Sequence, residues 1–250
     1  MGISCTTPAK RSTYDYDYFA YRETPLQLAV KIKAPKVVEF LWSQEDVHAH
    51  VDVAIKALFL AASLGHVECL QILLASSSPL NANNKNTNGL PPLITAVYNM
   101  HPGVVEVLLA HGASHTFKNK EGDTLLHLAC FVALPDWNNQ KQKTHFEIRR
   151  NTIVRRLLDA DSSRKIINDK NNDGNTPLHI AVKKGLLNCC NELLKSRASY
   201  TIKNNAGKTP FQELCARKIQ QTFHISINNP SYALCQKRLM AQFESLQNKM

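Results

Sequence analysis

The sequence predicts an all-α fold: a solenoid of stacked helix pairs linked by β-turns and closed by a C-terminal helix. Three observations predict it. One turn-to-helix unit recurs, with starts at residues 24, 56, 91, 124, 176 and 209. Each of the first five starts leads, about a dozen residues on, to a second apolar segment with helical spacing at i, i+1, i+4 and i+5. The steps are 32, 35, 33, 52 and 33 residues; all but the fourth lie in the range of solenoids, whose units bury a continuous core only by stacking.

Residues 1–22 precede the first unit. Met1-Gly2-Ile3-Ser4-Cys5-Thr6 fits the pattern for N-myristoylation of Gly2, and Cys5 is placed to take a second, thioester-linked acyl chain. One myristoyl chain binds a membrane only marginally, at about 10⁴ M⁻¹, so that reading needs the second signal. The plainer expectation is a flexible start. Tyr14, Tyr16, Tyr18 and Tyr21 follow among acids. Their rings are expected to cover the exposed end of the first unit, with phosphorylation as the alternative.

The units then open in order. The first begins at Thr24-Pro25-Leu26-Gln27 and the second at Lys56-Ala57-Leu58-Phe59. The third begins at Pro91-Pro92-Leu93, after Asn88-Gly89. The fourth begins at Thr124-Leu125-Leu126-His127, after Glu121-Gly122. The fifth begins at Thr176-Pro177-Leu178-His179, after Asp173-Gly174, and the sixth at Thr209-Pro210-Phe211, after Ala206-Gly207. Glycine serves the turn, threonine caps the helix and proline suits its first position. The second helices carry Val37-Val38, Cys69-Leu70, Val104-Val105, Ile153-Val154 and Cys189-Cys190. After Asn228-Asn229-Pro230, a helix over Ser231–Asn248 would place Tyr232, Cys235, Leu239, Phe243 and Leu246 on one side. Residues 228–250 are therefore expected to cap the array formed by residues 23–227, with a partner-binding or sorting tail as the alternative.

Thr176-Pro177-Leu178-His179-Ile180-Ala181 matches the signature T-P-L-H-x-A in full, and Thr124–Ala129 matches it with Leu125 in place of proline. On these residues and the period, the chain resembles the ankyrin repeat family. The resemblance implies two antiparallel helices per unit and structural, hydrogen-bonding roles for His127 and His179. It also implies protein partners, held by the turn tips and the inner helices on the concave side. Carried over by position, that surface includes Lys120, Asp123, Asp173 and Asn175 at the tips. Tyr98, Asn99, Phe131, Lys183 and Lys184 would lie at the exposed ends of the inner helices. Tyr98 and Phe131 would be neighbours in an aromatic patch edged by the two lysines.

The 52-residue step breaks the period. It leaves about sixteen extra residues between the two helices of the fourth unit, and solenoid insertions map to loops, often on a working face. A loop near 132–150 is expected, carrying Trp137 and running into Lys141, Lys143, Arg149, Arg150, Arg155 and Arg156 with Glu147 as the one acid. Exposed tryptophan and arginine are enriched at binding hot spots, so Trp137, Arg149 and Arg150 join the partner-binding candidates. The basic stretch 141–156 could instead neutralise phosphates of nucleic acid or anionic lipid.

The net charge of +10 favours a protein partner with an acidic or mixed surface or an anionic membrane surface, with nucleic acid ranked behind. The seven cysteines form no CxxC pair, which fits reduced thiols in a cytoplasmic setting. His127 and Cys130 lack an oxyanion site and an orienting third group, so no catalysis is expected. Neither His48 with His50 nor His111 with His115 has partners at structural-zinc spacing, so no metal is expected. No phosphate-binding or dinucleotide fingerprint occurs, so no cofactor is expected either. The functional expectation is a monomeric, non-catalytic adaptor that binds proteins through its concave face and its insertion. The alternative is a pathogen or viral effector that acts by binding host proteins in the host cytoplasm.

Overall fold

The computed structural model describes residues 23–44, 51–75, 80–132, 140–161 and 165–213. Gly2, Cys5, the tyrosine segment, Trp137 and the expected capping helix lie outside the described residues. Within them the chain forms five helix pairs: α1 (Pro25–Lys31) with α2 (Pro35–Trp42), α3 (Val51–Leu64) with α4 (Val67–Leu73), α5 (Pro92–Tyr98) with α6 (Pro102–Ala110), α7 (Leu125–Phe131) with α8 (Gln140–Ala160), and α9 (Pro177–Lys184) with α10 (Leu187–Lys195). A sixth unit begins at Thr209, followed by a helical turn over 210–213.

The helices pack as two rows. The inner row runs α1, α3, α5, α7, α9 and the outer row α2, α4, α6, α8, α10, each helix touching its row neighbours and its own hairpin mate. Between the rows runs one continuous apolar core that includes Leu58, Leu70, Leu93, Leu108, Leu125, Leu157, Leu178 and Leu193. Stacking thus buries what a single hairpin would leave in water.

Thr24, Thr124 and Thr176 cap their helices through reciprocal bonds with the residue three positions on. In the first unit that residue is Gln27, whose carbonyl accepts from the Thr24 amide at 3.1 Å. In the fourth and fifth it is a histidine. The Nδ1 of His127 accepts from the Thr124 amide (3.2 Å) and hydroxyl (2.9 Å). His179 does the same for Thr176 at 3.1 and 2.8 Å. Nδ1 as acceptor leaves the proton on Nε2, and that edge faces the next unit. His127 Nε2 donates to the Asn175 carbonyl (2.8 Å) and His179 Nε2 to the Lys208 carbonyl (3.0 Å).

The second and third units have Phe59 and Ile94 at this register. Their cross-links come instead from the opposite end of the inner helices. His66 Nδ1 donates to the Val30 carbonyl at 2.8 Å, and His101 Nε2 donates to the Ser63 carbonyl at 2.9 Å. Between the third and fourth units Asn83 serves, donating to the Gly112 carbonyl (3.0 Å) and accepting from the Ser114 amide (2.7 Å).

Two boundaries differ from the sequence expectation. The inner helix of the second unit begins at Val51, five residues before Lys56, because Asp52 and the apolar Val51-Val53-Ala54 continue the helical pattern N-terminally. The insertion is not all loop: Gln140–Ala160 is one helix of 21 residues. Leu157 and Leu158 align with Leu193 and Leu194 of α10, so α8 is longer by residues 140–150 at its N-terminal end. These add about 16 Å at 1.5 Å per residue. Phe146 and Arg150, four apart, are buried with Ile153, Val154 and Leu157 on its inward face.

Burial lowers the pKa of both His127 and His179 below the ordinary imidazole value, with their carbonyl partners opposing. The unfolded chain therefore binds more protons below about pH 6.5 than the folded one. Stability should be fully present above that pH and fall as the pH drops from there towards the lower folded pKa values. Urea midpoints between pH 7.5 and 5 check this, and a H127Q/H179Q variant should show a flatter profile. His127→Ala at pH 7.5 should cost about 1–3 kcal/mol, since it leaves the buried Thr124 donors and the Asn175 carbonyl unpaired.

Candidate functional site

The turn tips between units are built by asparagines. Asn171 Oδ1 accepts from the amides of Asp173 (3.1 Å) and Asn175 (2.9 Å), and Asn204 Oδ1 accepts from those of Ala206 (3.1 Å) and Lys208 (3.0 Å). Asn86 holds the third turn in the same way, and in the fourth Asn119 Oδ1 accepts from the Asp123 amide. Neighbouring tips are also tied together. The Asn172 amide donates to the Glu121 carbonyl at 2.9 Å and the Asn205 amide to the Asp173 carbonyl at 3.0 Å. Asn172 Nδ2 reaches the Lys120 carbonyl (2.9 Å), and Asn205 Nδ2 reaches that of Asn172 (2.8 Å).

These tips and the inner helices enclose a groove of about 640 Å³ across the third to fifth units. Tyr98, Lys120, Asp123, Phe131, Asp173, Asn175, Lys183 and Lys184 all line it. Eight of the twelve partner-binding candidates therefore share one concavity. Tyr98 and Phe131 are each 52% exposed although large and apolar. They end successive inner helices α5 and α7. Lys184, at the end of α9, sets its Nζ 4.8 Å from the centre of the Phe131 ring, a cation–π contact. One end of the groove is thus aromatic and basic.

The other end is partly committed to scaffold. Asp123 Oδ1 accepts from Asn171 Nδ2 at 2.8 Å, and Asn175 Oδ1 accepts from Asn204 Nδ2 at 2.9 Å. Both residues line the groove while their side-chain oxygens join units. Lys120 and Asp173 are exposed tip residues.

Asn99 and Arg149 lie outside the groove lining. Asn99 is exposed and bonds back to the Thr95 carbonyl at 2.9 Å. Arg150 corrects the sequence expectation of an exposed contact. It is 2% exposed, donates through Nη2 to the Val132 carbonyl and lies 5.0 Å over the Phe146 ring. The basic stretch as a whole does not present one cationic face. Arg155 pairs with Glu192 at 3.5 Å and Arg156 with Glu106 at 3.0 Å, both acids belonging to neighbouring outer helices. The phosphate-binding reading of 141–156 loses three of its six cations to these roles.

His127 has both ring nitrogens engaged, so its imidazole cannot serve Cys130 as a base. Cys130 instead donates to the Cys189 sulfur. That bond raises the Cys130 pKa well above the usual thiol value and lowers that of Cys189, while burial pushes Cys190 up to about 12. Cys69, Cys130, Cys189 and Cys190 are free and buried.

Comparison with known proteins agrees with this geometry. Family models for ankyrin repeats, one of three copies and one of many copies, match residues 26–119 and 58–136 and residues 157–214. The chain belongs to the ankyrin repeat family. Among its relatives, mouse (Mus musculus) Synphilin-1 is 27% identical over 170 residues, covering 64% of this chain and 16% of that protein. A probable E3 ubiquitin-protein ligase, XBOS32 of Oryza sativa subsp. japonica, is 30% identical over 159 residues, covering 57% of this chain and 31% of that protein. The ankyrin chain thus spans less than a third of either relative. Among its described residues no helix is long and apolar enough to cross a membrane.

Sequence reasoning missed the turn asparagines. Asn86, Asn119, Asn171 and Asn204 recur at steps of 33, 52 and 33, the same steps as the third to sixth unit starts, and that coincidence would have found them. His101 was missed too. It lies 35 residues after His66, as Pro91 lies 35 after Lys56.

Gly174 has φ +76°, and a Cβ there would collide with Asn205 of the next tip. Gly174→Ala should therefore destabilise by more than the about 1 kcal/mol that separates the two residues elsewhere. It should also loosen the tips at Asp173 and Asn205. Thermal unfolding checks the first effect, and amide exchange at Asn205 checks the second.

Proposed function

We propose that this chain is a non-catalytic adaptor that holds a partner protein in the groove of its third to fifth units. Ankyrin repeats are protein-binding modules, and the observation that carries the reading to this groove is the pair Tyr98 and Phe131. Each leaves half its surface in water at the end of an inner helix, in one concavity with Lys120, Lys183 and Lys184. A stable stack gains nothing from exposing them, whereas aromatic rings beside cations are the composition of interface hot spots. The partner would offer apolar side chains to the ring pair and acids to the lysines, in keeping with the chain's net charge of +10.

Affinity capture from a eukaryotic lysate, followed by mass spectrometry, would supply the partner. Against that partner, Tyr98→Ala and Phe131→Ala should each cost about 2 kcal/mol or more of binding, roughly 30-fold in Kd. Their thermal stability should stay close to that of the native chain, because both rings are half solvated already. Unchanged affinity in two folded variants would remove the ring pair from the interface.

A further inference from the structure

A second, smaller cavity lies where α8 passes the turn between α9 and α10. Its volume is about 240 Å³, and Glu147, Arg150, Leu187, Asn188 and Cys189 are among its walls. It shares no lining residue with the concave groove, so its chemistry is independent of the adaptor reading.

Two independent features of this cavity ask for an anion. The first is Arg150. Its side chain is buried, its Nη2 is spent on the Val132 carbonyl, and its Nε and Nη1 have no hydrogen-bond partner among the described residues. Among the described residues no carboxylate pairs with it. A guanidinium stays charged in proteins, and burying two of its donor nitrogens unmatched is a standing cost to the fold. The second feature is the start of α10, a helix of nine residues whose cap, Leu186, offers no side-chain acceptor. The amides of Asn188 and Cys189, at its second and third positions, are among the donors that a helix start leaves without an intrahelical partner. They sit at the positive end of the helix dipole.

We propose that this cavity binds a carboxylate of an acidic peptide segment, held by Arg150 and the Asn188 and Cys189 amides. One guanidinium balances one carboxylate. Glu147 in the cavity wall repels any anion, and a doubly charged phosphate more strongly than a singly charged carboxylate. Leu187 forms an apolar shelf at the cavity, 64% exposed, on which the residue next to the acid can rest. The occupant is therefore an acidic side chain followed by an apolar one, as on the surface of an extended partner strand. Arg150 is retained against its burial cost because the bound carboxylate supplies the acceptors that the fold withholds.

The test uses the full chain, isotopically labelled, and follows the Arg150 Nε–H and the backbone amides of Asn188 and Cys189 by NMR. Three probes are titrated: the peptide acetyl-Glu-Leu-amide, its neutral counterpart acetyl-Gln-Leu-amide, and inorganic phosphate. The glutamate peptide should shift all three resonances saturably and bind at least ten-fold more tightly than either other probe. Arg150→Met should abolish the preference for glutamate over glutamine. Leu187→Asp, at an exposed helix start where an acid is tolerated, should weaken the glutamate peptide at least ten-fold without loss of fold, so it decides the matter if Arg150→Met does not fold. Equal binding of the two peptides, tighter binding of phosphate, a glutamate preference that survives in folded Arg150→Met, or undiminished binding of the glutamate peptide by folded Leu187→Asp would overturn the proposal.

Discussion

Neutral imidazoles bound to backbone carbonyls of adjacent units are the interaction on which this stack depends. A solenoid has few long-range contacts to hold its register, since each unit meets only its neighbours. Apolar packing between helix rows is strong but weakly directional, so something polar must say how far one hairpin slides against the next. A histidine ring does this well because its two nitrogens point to opposite edges. At His127 and His179 one edge closes the local helix cap and the other reaches across the boundary. Gln27 performs the cap alone in the first unit, where His66 of the second unit supplies the cross-link from the far end. The same requirement is thus met by different residues along the array, and the signature Thr-Pro-Leu-His appears in full only once.

The groove inherits its dimensions from those links. The tips that carry Lys120 and Asp173 are held at a set separation by backbone and asparagine bonds, and the inner helices that end in Tyr98 and Phe131 are held by packing and caps. None of this framework would need to rearrange for the proposed partner, which would keep the ordering cost of binding low. The division of labour is visible within single residues. Asp123 and Asn175 border the groove yet spend their side-chain oxygens on the neighbouring unit, whereas Lys120 and Asp173 point their charge at solvent from a rigid turn.

Most of the architecture could be read from the chain because it repeats. A single Thr-Pro-Leu is weak, but the same punctuation at a constant step places turns, inner helices and outer helices together. The groove residues followed by position, which is why Tyr98, Phe131, Lys183 and Lys184 were found as a group. What could not be read that way lay where the period fails. Residues 140–150 have no counterpart in the other units and are mostly polar, so they looked like loop. Only Phe146, Arg150, Ile153 and Leu157, spaced as one helix face, hinted otherwise, and the hint required counting an arginine as buried. Arginine is seldom placed inside a protein, so a pattern of charge reads as surface by default. The turn asparagines escaped for the opposite reason: they are ordinary loop residues, and only their period marks them.

The end at which α8 is lengthened has a consequence for how this molecule can change. The added turns precede the stretch that aligns with α10, so they lie outside the part of α8 that has a counterpart in the fifth unit. Thr124 and Thr176 still begin equivalent helices, and His127 still finds the Asn175 carbonyl across 48 residues of sequence. The extra length is therefore an outgrowth at one end of one helix, anchored by buried Phe146 and Arg150, and the histidine link to the fifth unit is kept beside it.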